Sequence, residues 1–98
     1  MSKICIVTGA SRGLGRGIAL TLARAGGCKV YATARNSEAL NALAEEAAEG
    51  GGAGSVEPRV LDQSDDDAVR AFVQEVDAKE SRVDLLVNSA FGGLIAMT

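Results

Sequence analysis

Apolar residues recur along this chain in two alternating patterns, short continuous runs and longer stretches with helical spacing. The runs span residues 4–7, 29–34, 56–61 and 83–88, and such runs are typical of strands buried on both faces. Between them lie three helical stripes: Leu14, Ile18, Leu22 and Ala25; Leu40, Leu43, Ala44 and Ala47; Val69, Phe72, Val73 and Val76. Strand and helix patterns in alternation predict an α/β fold built on a parallel sheet.

Polar and small residues mark the helix ends. Ser37 and Ser64 are the predicted N-caps of the second and third helices, because their side-chain oxygens can accept from free N–H groups. The acidic residues 65–67 could suggest a metal site, but compensation of the helix dipole is the stronger interpretation. The glycine-rich residues 50–54 predict a flexible turn after the second helix.

The order of the strands follows from handedness and from one proline. Pro58 cannot donate to a sheet ladder, so the third strand is expected at an edge. Right-handed crossovers then give the order 3-2-1-4, with the first two helices on one face and the third on the other. This is half of a doubly wound, Rossmann-type sheet, and a ligand is expected across the carboxyl ends of strands one and four.

A glycine cluster lies between the first strand and the first helix. Gly9, Gly13 and Gly15 have the spacing Gly-x-x-x-Gly-x-Gly, which differs from the more common dinucleotide spacing. The Gly-Lys pair of a phosphate-binding loop is absent, because Leu14 stands where its second glycine would be. A plain turn is the alternative, but strand, glycine turn and helix in succession favour binding of a nucleotide phosphate at a helix N-terminus.

Charge is distributed unevenly along the 98 residues, which make one domain at most, and 1–98 is expected to be the N-terminal part of a single domain. The net charge is −3, yet residues 1–35 carry six of the ten basic residues and no acid. Arg12 lies in the glycine loop and Arg35 follows the second strand, so both are expected to face one ligand phosphate. Arg16 and Arg24 are interpreted as solvated helix positions. The acidic balance, without a basic and aromatic stripe, disfavours nucleic acid as a partner.

The cysteine and hydropathy patterns disfavour metal-binding, membrane-spanning and secreted classes of protein. Cys5 and Cys28 lack metal-ligand spacing, and the sequence has no histidine, so both are predicted to be buried thiols of a reducing compartment. No apolar run reaches 18 residues, so no membrane span is predicted. The N-terminus lacks the pattern of a secretory signal, and a cytoplasmic location is expected.

Three motifs together resemble the N-terminal half of the short-chain dehydrogenase/reductase family. They are residues 8–15, Asp62 at the end of strand three, and Asn88-Ser89-Ala90 at the end of strand four. The resemblance covers essentially the whole chain. It implies a nicotinamide dinucleotide and hydride transfer between that cofactor and a small carbonyl or alcohol.

The resemblance also implies roles for single residues in the glycine loop. Gly9, Gly13 and Gly15 match the pyrophosphate loop. Ser11 and Arg12 match positions that contact the adenosine ribose and its phosphate. Leu14 matches a contact on the pyrophosphate and nicotinamide side.

The ends of the later strands carry the other implied contacts. Asp62, with Gln63 beside it, matches the acid that receives the adenine amino group. Asn88 and Ala90 match the motif that steadies the sheet and borders the cofactor ribose. The usual sequence there is Asn-Asn-Ala-Gly, from which this chain departs at residues 89 and 91.

Cofactor choice can be predicted from the end of strand two. Relatives of this fold that prefer the unphosphorylated dinucleotide usually place an acid there, which accepts from the ribose 2′-hydroxyl. This chain has Thr33-Ala34-Arg35 instead. NADP or NADPH is therefore the expected cofactor.

The catalytic groups of the family are not found in these residues. The family uses a serine and a Tyr-x-x-x-Lys pair, and the only tyrosine here is Tyr31, inside strand two. The chain is expected to be the cofactor-binding half of a longer enzyme, itself a homo-oligomer, and to be inactive alone. The alternative is a non-catalytic nucleotide-binding or interaction module.

Overall fold

The elements alternate strictly between strand and helix along the chain. The computed structural model describes residues 3–11, 13–50 and 54–88. The elements are β1 (Ile4–Thr8), α1 (Gly13–Arg24), β2 (Lys29–Ala34), α2 (Ser37–Glu49), β3 (Ser55–Val60), α3 (Asp66–Glu80) and β4 (Leu85–Asn88). The predicted alternation is confirmed. The last strand begins two residues later than its apolar run, and Val83 is 39% exposed.

All four strands form one parallel sheet in the order β3-β2-β1-β4, as predicted. Val7 at the centre of the sheet pairs with Ala32 on one side and Val87 on the other. Pro58 lies in β3, opposite Ala32. Among the residues that the structure describes, β3 is an edge strand of the sheet. A missing N–H is tolerated at an edge, where no second strand requires it.

The helices divide between the two faces of the sheet, again as predicted. Buried residues of α1 and α2 form one core with Cys5, Val7 and Val30. Phe72 and Val76 of α3 form a second core with residues on the opposite face, Ile4, Ile6 and Tyr31. Neighbouring residues of a strand point to opposite faces, which is why Cys5 and Ile6 belong to different cores.

Both cysteines are buried free thiols, in agreement with the sequence. Burial, followed by the neighbouring Cys28 thiol, raises the pKa of Cys5 to about 12. A thiol with so high a pKa stays protonated and reacts slowly. The pair therefore serves as packing in the first core.

Three residues of the predicted helical stripes are exposed, so the prediction that they face the core is wrong. Leu14 is 62% and Val73 is 49% exposed, and Ala25, which follows the last residue of α1, is exposed as well. Leu14 lies in the first turn of α1, at the carboxyl edge of the sheet, where the strands end. On α3 the buried pair is Phe72 and Val76, one turn apart, and Val73 is rotated by about 100° from Phe72.

The predicted caps are also wrong, in each case by one position. Asn36 caps α2 by accepting from the N–H of Ala39 at 3.0 Å. Asp65 caps α3 by accepting from the N–H of Ala68 at 3.1 Å. Ser37 is itself the first residue of α2. In both cases a polar residue next to the serine takes the extended backbone conformation that a cap requires.

A polar cluster fixes α3 to the sheet at the side of β2 and β3. The Tyr31 hydroxyl donates to Glu80 at 2.6 Å, and Lys29 pairs with the same carboxylate at 2.6 Å. Burial, followed by the contact with Glu80, raises the pKa of Tyr31. Tyr31 is only 1% exposed, and its hydroxyl stabilises the fold through the hydrogen bond to Glu80.

Candidate functional site

The loop between β1 and α1 has a backbone that favours glycine. Gly9 and Gly13 have positive φ values of 64° and 62°, a region that residues with a Cβ rarely adopt. Between them, the N–H of Ala10 donates to the carbonyl of Thr33 at 3.0 Å and ties the loop to β2. Ala10 is buried and Ser11 half-buried. Arg12 lies outside the described residues.

The outer side of this loop is open where α1 begins. A Cβ on Gly13 would meet no atom within 4 Å, whereas Gly15, two residues further along the first turn of the helix, is buried. The first turn of α1 carries no acidic residue that would compete with an anion for the positive end of the helix dipole. A bare backbone surface at a helix N-terminus fits a phosphate group.

The carboxyl ends of β1 and β4 are joined by a side-chain hydrogen bond. The Thr8 hydroxyl donates to the Asn88 amide oxygen at 2.8 Å, and the two residues are register partners. With Gln63 they form the polar part of the lining of a groove of about 360 Å³ beside α3; Phe72 and Leu86 are among its apolar lining residues. Ala90 lies outside the described residues.

The ends of β2 and β3 bring a cation and a carboxylate to the same edge. The N–H of Leu61 donates to the carbonyl of Ala34 at 2.9 Å, so Arg35 and Asp62 follow neighbouring strand ends. Asp62 is exposed, and its Oδ1 accepts from the hydroxyl of Ser64 at 2.7 Å and from its N–H at 2.9 Å. The pKa of Asp62 is lowered by these contacts first and by the positive charge of Arg35 in addition.

The candidate residues that are described gather at one edge of the sheet. Each lies at or just beyond the carboxyl end of a strand, or in the loop and first turn behind β1: Gly9, Ser11, Gly13, Leu14, Gly15, Arg35, Asp62, Gln63 and Asn88. The sequence patterns missed Thr8 and Ser64, whose hydroxyls hold two of these side chains. Ser64 was interpreted as a helix cap, and only its spacing of two from an acid hinted otherwise.

Comparison with known proteins identifies the family of the chain. Residues 3–96 match the short chain dehydrogenase family. The chain belongs to this family. Its sheet has the Rossmann-type strand order that the sequence predicted, and solved structures of the family share this fold.

Relatives within the short chain dehydrogenase family are substantially longer than this chain. Dehydrogenase/reductase SDR family member 1 of Homo sapiens is 45% identical over 93 residues, which cover 94% of this chain and 29% of the relative. Within the matched stretch, the sequences of residues 12–20 and 88–93 resemble that relative in particular. The chain thus spans about three-tenths of the length of this relative.

Solved structures of the family show the same arrangement. A metagenomic short-chain oxidoreductase in complex with NADP superposes with a TM-score of 0.80 at 41% identity, over 89% of this chain and 38% of that one. Actinorhodin polyketide ketoreductase with NADPH superposes with a TM-score of 0.79 at 33% identity, over 90% of this chain and 33% of that one.

The described residues include neither a membrane-spanning helix nor a cluster of metal ligands. No helix there is both long and apolar enough to cross a membrane. No group of three or more metal-ligating side chains is found there.

Proposed function

We propose that this chain provides the NADP-binding part of an oxidoreductase that transfers hydride between a nicotinamide cofactor and a small carbonyl or alcohol. The observation that carries the proposal is the edge at which the open glycine loop, Arg35 and Asp62 lie together. The metagenomic oxidoreductase was solved with NADP and the polyketide ketoreductase with NADPH, which supports the choice of the phosphorylated dinucleotide.

Each residue would contribute binding or orientation. The backbone N–H groups at the start of α1 would receive the pyrophosphate, since negative charge is stabilised at a helix N-terminus. Arg12 and Arg35 would bind the 2′-phosphate, since a guanidinium matches the geometry of a phosphate. Asp62 would accept from the adenine amino group, with Gln63 beside it, and Asn88 and Ala90 would border the nicotinamide ribose.

The reactive chemistry would be supplied by the nicotinamide and by groups outside these 98 residues. The bound dinucleotide provides or accepts the hydride. Tyr31 is an unsuitable proton donor, because it is buried and its hydroxyl already donates to Glu80. We therefore propose that these residues bind the cofactor without reducing a carbonyl on their own. A homo-oligomeric, cytoplasmic parent enzyme completes the proposal.

Replacing Arg35 tests the choice of cofactor. Arg35→Ala removes a charged partner of the 2′-phosphate, and a hydrogen bond to a charged group contributes about 1.5–3 kcal/mol. We expect affinity for NADP to fall by roughly tenfold or more, while affinity for NAD changes little. Calorimetric titration with both dinucleotides measures the two affinities.

The matched control is Arg70→Ala. Arg70 is exposed on α3 and pairs only loosely with Asp67, at 3.6 Å, so its removal changes the net charge by the same amount away from the proposed site. This variant should bind NADP as the unaltered chain does. Equal losses for NADP and NAD in Arg35→Ala would contradict the assignment of Arg35 to the 2′-phosphate.

A further inference from the structure

A tight turn connects β3 to α3 and contains two acids with different tasks. The N–H of Asp65 donates to the carbonyl of Asp62 at 3.0 Å and closes the turn. The Asp65 side chain then caps α3 through Ala68. The cap of α3 is therefore complete without Ser64.

Two donors of Ser64, its hydroxyl and its backbone N–H, contact the same carboxylate oxygen of Asp62. Its hydroxyl donates to Oδ1 of Asp62 at 2.7 Å, and its N–H donates to the same atom at 2.9 Å. Asp62 is otherwise exposed, and an exposed carboxylate held by no partner would sample several rotamers. Two donors on Oδ1 select one rotamer and leave Oδ2 as the acceptor for a ligand.

We propose that Ser64 is a positioning residue for adenine recognition, since it holds Oδ1 of Asp62 so that Oδ2 can accept from the adenine amino group. The inference rests on the proposed function, because it requires an adenine dinucleotide at this edge. It separates two tasks in one carboxylate: one oxygen anchors the side chain to the turn, and the other reads the base.

The test compares two dinucleotides and two substitutions at Ser64. The probes are NADP and its purine analogue, in which a hydrogen atom replaces the adenine amino group and no new donor is added. Ser64→Ala removes the hydroxyl and keeps the N–H contact, so affinity for NADP should fall by roughly three- to tenfold. Affinity for the analogue should stay within about twofold, because no donor faces Oδ2. Ser64→Thr retains a hydroxyl and should restore binding of NADP.

Ser55→Ala is the matched control. Ser55 is exposed at the start of β3, so it lies at the end of the strand away from the proposed site. Removal of its hydroxyl should change neither affinity. Circular dichroism of each variant should match that of the unaltered chain, because Asp65 caps α3 independently of Ser64.

The outcomes separate this inference from the proposed function. Equal losses for both dinucleotides in Ser64→Ala would make Ser64 a structural residue and overturn the inference. Loss of the α3 helical signal in that variant would overturn it for the same reason. Equal affinity of the unaltered chain for both dinucleotides would overturn the reading of the base by Asp62, while the assignment of NADP would stand. Failure of the unaltered chain to bind either dinucleotide would overturn both.

Discussion

At the scale of single residues, Gly13 is the position where backbone conformation and ligand space coincide. Its φ of 62° penalises any side chain, and a side chain there would project into the open space above the loop. We expect Gly13→Val to abolish binding of NADP, because its methyl groups would occupy the approach path of the pyrophosphate. The left-handed conformation adds a cost to stability of roughly 1–2 kcal/mol. Titration and thermal unfolding of the variant measure the two effects separately.

Gly17→Ala is the control for this substitution. Gly17 lies one turn further along α1, and a Cβ there would also meet no atom within 4 Å. Its backbone is helical, so alanine should stabilise α1 by up to about 1 kcal/mol and leave binding intact. Unchanged affinity of Gly13→Val for NADP would reduce the glycine loop to an ordinary turn.

The sequence located the glycine turn between the first strand and the first helix correctly, but it placed Leu14 and Ser64 wrongly. The glycine positions followed from the strand before them and the helix behind them. Leu14 was assigned to a buried stripe because hydrophobic spacing does not record where the sheet beneath a helix ends. Ser64 was assigned to a cap because serine, aspartate and asparagine are nearly equal as caps, and three candidates stand side by side at residues 64–66.

At the scale of elements, Gly54 lets three segments meet. Its N–H donates to the carbonyl of Ala23 at 3.2 Å at the end of α1, and a Cβ on Gly54 would overlap the backbone of Cys28 ahead of β2 as well as that carbonyl. Backbone atoms cannot move aside as a side chain can. We therefore expect Gly54→Ala to destabilise the fold by roughly 1–3 kcal/mol, measured by urea unfolding.

Gly50→Ala supplies the comparison within the same glycine-rich stretch. The three atoms nearest to a Cβ there belong to the Arg24 side chain, which can shift at the expense of its exposed hydrogen bond to the Glu46 carbonyl, and the φ of −68° at Gly50 suits alanine. The loss of that hydrogen bond and the lower entropy of the unfolded chain should roughly cancel, so this variant should be close to neutral. If both glycines tolerated alanine equally, Gly54 would not be a site of required close approach. The sequence predicted only a flexible turn here. Composition alone cannot distinguish a glycine needed for a turn from a glycine needed because another backbone segment packs against it.

The order and handedness of the elements were predictable because few topologies satisfy the constraints. An apolar run can be buried only in a covered sheet, crossovers are right-handed, and Pro58 excludes a central strand. The ends of elements were less predictable. Val83 belongs to the last apolar run, yet β4 begins at Leu85, where pairing with Cys5 starts. An apolar pattern marks burial, whereas a strand boundary depends on where the partner strand supplies hydrogen bonds.

At the scale of the whole molecule, the uneven charge of the sequence becomes pairing between its basic first third and the acidic remainder. Arg16 of α1 pairs with Glu46 of α2 at 3.0 Å, and Arg24 donates to the Glu46 carbonyl at 2.9 Å. Lys29 of β2 pairs with Glu80 at the end of α3. The sequence analysis interprets both arginines as solvated, because the spacing of charges along a helix does not show which side chains meet across two neighbouring helices. The pairing fixes helices that share a face and connects α3 to the sheet.

Acid should weaken the attachment of α3 to the sheet through Glu75. This carboxylate accepts from Arg59 of β3 at 2.8 Å and from Lys79 at 3.1 Å, and these contacts lower its pKa from 4.5 to about 2, the Arg59 contact being the larger cause. Because the pKa is lower in the folded chain than in the unfolded one, the stabilisation is fully present above the unfolded value. It is lost as the pH falls through the folded value.

Glu75→Gln therefore should show its effect only at higher pH. At neutral pH the variant should be less stable by about 1 kcal/mol, the upper range for an ion pair near the surface. The difference from the unaltered chain should shrink below the ordinary pKa of 4.5 and nearly vanish at about 2, because the unaltered chain then loses the same interaction. Urea midpoints measured along this pH range, with Glu49→Gln at the exposed end of α2 as the control, give the comparison. A difference that stayed constant down to the acid limit would mean that Glu75 stabilises the fold by packing and not by its charge.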